Sequence, residues 1–205
     1  MLHRPVLTLA FLLVTAPLAA NAQATASADS KAVQSGTYAI DPEHTQVSFR
    51  VSHMGFSQYN GVLAQASGEL ELAPQTMAAT KVSVTLPAAS IATTSDKLTS
   101  ELRGANWLDA AKYPNVAFRS TKITQTGPDA ADIEGDLTLH GVTKPIVLKA
   151  RFVGAGVNPL SKAYNAGFEA RATIKRTDFG VSRFAPLIGD EVELTIDAAF
   201  AKPTS

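Results

Sequence analysis

The chain has 205 residues, with 18 Lys and Arg against 18 Asp and Glu, 45% hydrophobic residues, 13 Gly, 11 Pro and no Cys. This is the composition of an ordinary folded domain, and it excludes a disordered, collagen-like or disulfide-stapled chain. A formal net charge of +0 leaves no electrostatic footprint for a polyanion, so nucleic acid is not an expected partner.

The N-terminus reads as an address. His3 and Arg4 make a short basic start, residues 5–16 are an uncharged apolar run, and Ala20-Asn21-Ala22 before Gln23 has the small-x-small pattern of a secretory cleavage site. The run is too short to span a bilayer, and without a cysteine to acylate no stable membrane anchor is expected. Residues 1–22 are therefore expected to be a signal peptide. Residues 23–36, rich in Ala, Ser and Thr without periodicity, read as a flexible leader, and 37–202 as one domain.

From Tyr38 onward the dominant period is two, which belongs to strands with one buried face. Val47, Phe49 and Val51 alternate with Ser48, Arg50 and Ser52; Leu70 and Leu72 alternate with Glu69 and Glu71; Val82, Val84 and Leu86 alternate with Ser83 and Thr85. The helical period intrudes once. Ser95 suits an N-cap, Asp96 the first turn, Leu98 and Leu102 lie one turn apart, and Gly104 can stop the segment, so a helix is predicted over 96–103. Trp107, Leu108, Ala110 and Ala111 predict a second turn before Pro114. Trp107, the chain's single tryptophan, either plugs one end of the fold from this insertion or is an ordinary core residue.

The alternation then resumes. Val116-Ala117-Phe118 is a less regular strand, Leu137 and Leu139 face away from Asp136 and Thr138, and Gly141-Val142-Thr143 reads as a hairpin loop. Ile146, Leu148, Ala150 and Phe152 follow, then Phe168, Ala170, Ala172 and Ile174, and finally Val192, Leu194, Ile196, Ala198 and Phe200. About eight strands at this spacing predict an all-β antiparallel sandwich or barrel.

Several blocks resemble a known family. Residues 38–45 (Tyr-Ala-Ile-Asp-Pro-Glu-His-Thr), then Val51-Ser52-His53-Met54-Gly55-Phe56, Lys112-Tyr113-Pro114, residues 135–145 and Arg176-Thr177-Asp178-Phe179-Gly180 are similar, in this order, to signatures of the YceI-like, polyisoprenoid-binding family. The resemblance implies a lipocalin-like eight-stranded antiparallel barrel, an internal apolar tunnel for a polyprenyl or similar long-chain amphiphile, and a periplasmic setting without catalysis. There is a departure: the family often has a histidine before a leucine where this chain has Glu101-Leu102, and an acid before the aromatic where it has Asn106-Trp107. No role attached to that histidine carries over.

An eight-stranded interior is either filled by side chains or holds one small ligand. Small inward residues (Ala150, Ala170, Ala172, Ala198) beside aromatics favour the second, while a taper filled by alternating large and small residues is the other reading. The apolar candidates for the binding wall are Phe49, Val51, Phe56, Phe118, Phe168 and Ile174. Counting in twos carries His53, Arg176 and Asp178 to the dry face at strand ends, and with Trp107 they complete the candidate ligand-binding set. Arg176 reads either as the grip on an anionic head group or as half of an ion pair with Asp178, Asp190 or Glu191; His53 reads as a head-group donor or a satisfied core histidine.

The same parity points His53 inward and His140 outward, with His44 ahead of its strand, so no metal site is expected. No HExxH or GxSxG motif is present, and neither catalytic residues nor a cofactor are expected. The expected function is a periplasmic protein that sequesters or carries a long-chain isoprenoid or quinone-like amphiphile; a homodimer is the one assembly considered. Its rivals are an outer-membrane β-barrel, which has the same period turned inside out, and a periplasmic enzyme acting on a lipid-like substrate.

Overall fold

Period-two alternation with one dry face drives the chain into antiparallel strands whose apolar sides need a common interior. The computed structural model describes residues 26–203; the expectation of a signal peptide over 1–22 lies outside the described residues. Among these, eleven strands form one antiparallel sheet: β1 (Gly36–Ile40), β2 (Gln46–His53), β3 (Ser57–Leu63), β4 (Ser67–Leu72), β5 (Lys81–Pro87), β6 (Ala92–Thr93), β7 (Asn115–Gln125), β8 (Ala130–Leu139), β9 (Val142–Val157), β10 (Tyr164–Lys175) and β11 (Ile188–Ala201). The order β1-β4-β5-β7-β8-β9-β10-β11 returns to β1 through the pairs Ala39↔Ala201 and Ile40↔Phe200, which closes an eight-stranded barrel. β2, β3 and β6 extend the wall beyond β11 at one end.

The ring has the expected number of strands but one different member. Alternation picked out β2, whereas the strand that closes the ring is β1, immediately before it. The two act as halves of one bent strand, both paired to β11, and the bend at residues 41–45 is stitched to a single residue. Asp41 N–H donates to the Ala199 carbonyl at 2.8 Å, and Ala199 N–H donates to the buried Thr45 hydroxyl at 3.0 Å. The Asp41 carboxylate accepts from the N–H groups of Glu43 and His44 and lies 2.8 Å from His44 Nδ1. Burial opposes ionisation of Asp41, but these bonds prevail and lower its pKa.

Outside, five ion pairs join strands: Arg50–Glu193, Lys81–Glu71, Lys122–Glu134, Lys149–Asp132 and Arg151–Glu169. In every case the two residues sit directly opposite in register. Exposed pairs contribute little energy each, but a slip of one residue would separate opposite charges and invert both faces of the strand.

The helix is where capping logic put it, α1 (Asp96–Arg103), with Leu98 N–H donating to the Ser95 hydroxyl. The second helical turn is absent as such. Residues 104–113 form successive turns in which Trp107 N–H donates to the Gly104 carbonyl and Leu108 N–H to that of Leu102. The β8–β9 loop is also shorter than expected: Leu139 pairs with Val142, so only His140 and Gly141 turn, at φ of 51° and 74°, and Val142 and Thr143 already belong to β9. A two-residue hairpin of this kind, type I′, demands positive φ at both positions, and only Gly141 advertised it.

Residues 26–35, expected as part of a flexible leader, instead touch the barrel. Ser27 bridges to Ala155 on β9, Ser30 Oγ donates to the Pro128 carbonyl at 2.7 Å, and Val33 is buried. Val33 joins a cluster with Leu72, Ala155, Ala166, Phe200 and the fully buried Tyr38. The Tyr38 hydroxyl donates to the Gln34 carbonyl, and burial, aided by Tyr164, pushes its pKa up to about 12.

Two glycines make room for rings that the cavity needs. A Cβ on Gly61 of β3 would run into the Phe49 ring across the strand pair and lie 2.7 Å from the Ala92 carbonyl oxygen; Gly135 of β8 makes the same allowance for Phe118. Gly61→Ala is expected to destabilise the barrel by about 1–3 kcal/mol, since the ring must leave its position. Gly127→Ala, whose Cβ would meet only an ordinary 3.5 Å contact, is the control in denaturant melts.

Candidate functional site

The inward faces of the strands do not fill the barrel. They enclose a cavity of about 760 Å³, within the range of roughly 300–1,000 Å³ common for ligand sites, with an almost wholly apolar wall. Phe49, Val51, Phe118, Phe168, Ile174 and Arg176 all line it as expected, and so do Ala150, Ala170 and Ala198. The reading in which alternating large and small residues fill the taper is therefore set aside. At one end Phe152, Phe168 and Phe200 pack edge to face, with centroids 5.7 and 6.0 Å apart.

Exposed Lys31, Gln75 and Asp129 also line the cavity towards this end; the opposite end forms a mouth. It is built from α1, the turns around Trp107, the β2–β3 turn and the β10–β11 loop, with His53, Ser57, Tyr59, Glu101 and Trp107 among the lining residues. His53 is exposed at this rim, so it is not a core histidine. Trp107 sits between two neighbours: the Arg176 guanidinium 5.6 Å from its ring centroid and the Phe184 ring at 6.4 Å, edge on. The plug reading of Trp107 thus describes its position at one end of the cavity.

Among the described residues Arg176 does not form the ion pair that was one of its two readings. It is 5% exposed and belongs to the cavity wall, and its guanidinium donates to main-chain carbonyls. Nε donates to Gly189 at 2.8 Å, Nη1 to Val181 at 2.6 Å and Arg183 at 3.0 Å, and Nη2 to Ile188 at 2.8 Å. The expectation that a buried guanidinium must meet a ligand or a carboxylate omitted this third partner, since a fork of five N–H donors can be satisfied by carbonyl dipoles. Burial lowers the Arg176 pKa, partly offset by the field of Asp190. Asp190 itself is bound to Thr177: backbone N–H at 3.0 Å and hydroxyl at 2.9 Å.

Two expected residues lie outside the site. Asp178 is exposed, because the strand ends at Lys175 and residues 176–179 form a 3-10 turn, where counting in twos no longer applies. Phe56 is 88% exposed on the β2–β3 turn, since Met54 and Gly55 both adopt positive φ and end the alternation one residue after His53. Met54, Val181, Phe184 and Ile188 line the cavity without having been anticipated. They come from turns and an aperiodic loop, and sequence offers no period to read there.

The three histidines among the described residues stay apart: His44 beside Asp41, His53 at the rim, and His140 against Tyr113, with Nδ1 3.1 Å from the Phe179 carbonyl oxygen. Among the described residues no three His, Cys, Asp or Glu side chains gather into a metal-holding group.

A closed antiparallel barrel around one continuous apolar cavity defines a lipocalin-like, cavity-bearing β-barrel. The chain belongs to the YceI-like family, whose domain matches residues 38–200. It is 39% identical over 161 residues to a UPF0312 protein of Ectopseudomonas mendocina, covering 78% of this chain and 84% of the relative. Protein YceI of an Escherichia coli O6:H1 strain is 40% identical over 161 residues, 78% of this chain and 83% of the relative. Among solved structures, Burkholderia cenocepacia BcnA superposes with a TM-score of 0.71 at 21% identity, over 78% of this chain and 98% of that one. A polyisoprenoid binding domain from Saccharophagus degradans superposes with a TM-score of 0.61 at 16% identity, over 81% and 98%.

Removing the guanidinium would strand four carbonyls, so Arg176→Gln is expected to lower the stability of ligand-free protein by about 3 kcal/mol or more, and Arg176→Lys to restore little of it. A fall in melting temperature on the order of 10 °C is the readout.

The Thr177 backbone N–H, more than any other group, holds the Asp190 carboxyl below its usual range; burial opposes this, and the Thr177 hydroxyl and the charges of Arg176 and Lys175 reinforce it. A carboxylate whose folded pKa is depressed stabilises the fold above its unfolded value and loses that contribution as pH falls through the folded one. The stability difference between wild type and Asp190→Asn should therefore be constant near neutrality and shrink below about pH 4, measured by denaturant melts across pH.

Proposed function

We propose that the chain is an exported, periplasmic carrier that sequesters a polyisoprenoid or similar long-chain amphiphile, such as a polyprenyl phosphate or a quinone-like lipid, within the barrel. The supporting observation is the continuous apolar cavity of about 760 Å³. Membership of the YceI-like family and the fold shared with a domain described as polyisoprenoid binding favour the same reading. The proposed mechanism is burial without turnover. Covering about 400 Å² of tail at roughly 25 cal/mol per Å² yields about 10 kcal/mol before ordering costs, enough for firm binding.

The buried polar residues of the wall are engaged by the protein's own backbone. Arg176, Thr45 and Thr80 hold main-chain groups: Arg176 the four carbonyls, Thr45 the backbone of Ala199, and Thr80 Oγ1 the N–H of Ala73. An outer-membrane barrel would need its apolar face outward, whereas here that face lines the cavity and the outer wall bears five cross-strand ion pairs.

The test starts from cells producing the full chain. Protein released by osmotic shock, extracted with organic solvent and analysed by mass spectrometry, should yield a long-chain lipid at near-stoichiometric amount. Ala170→Phe, which places a ring in the cavity opposite Ala150 and Ile196, should lower that yield several-fold in a protein that still melts cooperatively. Retention in washed membranes would overturn the compartment. An empty extract, with Trp107 emission unchanged on adding a polyprenol or a quinone, would overturn the carrier.

A further inference from the structure

We propose that the mouth is a membrane-docking lip: Met54 and Phe56 on the β2–β3 turn, with Phe184 and Leu187 on the β10–β11 loop, enter the surface of a lipid bilayer, so that an amphiphile passes between bilayer and cavity without crossing water. The inference rests on the carrier reading and extends it to how the cavity is loaded.

The four side chains form one feature. Met54 N–H donates to the Leu187 carbonyl at 3.0 Å, and the neighbouring residues His53 and Ile188 pair in register, so the two tips are fastened side by side. Met54 is 46%, Phe56 88%, Phe184 51% and Leu187 63% exposed. Large apolar groups gathered at one rim mark an interaction surface, and aromatic side chains are favoured at the membrane–water boundary. The lip is also continuous with the cavity, because Met54 and Phe184 belong to its wall.

Three further observations favour a bilayer over a folded partner. Met54 and Phe184 sit at φ of 54° and 56°, a left-handed conformation rare for residues with a side chain. Arg176 clamps the carbonyls of Val181, Arg183, Ile188 and Gly189, on both sides of Phe184 and Leu187, so the loop is braced as a protrusion. Arg183, exposed, lies 4.4 Å above the Phe184 ring. An apolar ring with a guanidinium stacked on it suits a site where the ring meets acyl chains and the cation meets lipid phosphates.

The experiment is flotation of the full barrel with vesicles of phosphatidylethanolamine and phosphatidylglycerol, comparing wild type with the double variant Phe56→Ser, Leu187→Ser. Neither side chain lines the cavity. Wild type should float, and the double variant should lose vesicle affinity by roughly tenfold or more for each apolar side chain kept in water. Leu160→Ser is the control: Leu160 is 90% exposed on the β9–β10 turn at the opposite end, and its replacement should leave flotation unchanged. The proposal is overturned if wild type does not float, if the double variant floats equally well, if Leu160→Ser is as damaging, or if the double variant abolishes self-association instead. Solvent extraction of the same samples separates the two readings. Lipid in the extract without flotation removes the lip alone, whereas an empty wild-type extract removes the carrier whatever the vesicles do.

Discussion

The structure depends on one shared strand. β11 pairs with β2 from Ile188 to Asp197 and with β1 over its last two residues, and the second, short ladder turns a meandering sheet into a ring. Without it the first strands would leave an open edge and the dry faces would have no common interior. The splice between the halves is chemical as well as topological. Asp41 caps the bend with its carboxylate, and Thr45 and the Asp41 N–H occupy both backbone groups of Ala199, which the departing ladder would otherwise leave unpaired. The Asp-Pro-Glu-His-Thr block, which the sequence offers as a family resemblance, is thus the joint that permits closure.

What sequence could disclose follows the same line. On the regular strands parity identified most of the wall: Phe49, Val51, Phe118, Phe168 and Ile174 are all on the cavity, whereas Ala172 does not line it and Arg176 reaches it from the 3-10 turn after β10. β1 escaped because it is five residues long, and its inward Tyr38 and Ile40 are too few to establish a period. β3 escaped because its cavity-facing residues at the mouth, Ser57 and Tyr59, are polar or amphipathic, and Gly61 is reduced to backbone by the Phe49 ring. Asp178 and Phe56 were misplaced for the complementary reason, that counting in twos was carried past the residue where the backbone leaves the extended region. The rule is local, and its errors fall at strand ends.

Arg176 shows a different limit. A buried charge is usually assigned a carboxylate or a ligand, because both are visible as residue types or chemistry. A ring of carbonyls is not visible in sequence, since every residue has one. Here the carbonyls are collected by an irregular loop, and the guanidinium under Trp107 gives that loop its shape. The consequence is a mouth organised by the protein itself, with the cation of the cavity wall tied to the backbone of the loop.

The two ends of the cavity therefore differ in what holds them. At the far end the ring is closed by the β1–β11 ladder, Tyr38 is sealed under Gln34, three phenylalanines pack edge to face, and Lys202 bonds Gln34 and Ser35 while lying over the rings of Tyr38 and Tyr164. At the mouth a single guanidinium organises a loop with few ladder bonds, and α1 joins the wall with no buried residue of its own. Local opening follows low contact density and sparse backbone bonding. Separating α1 and the β10–β11 loop therefore disturbs fewer interactions than opening the β1–β11 end, and leaves the ring intact.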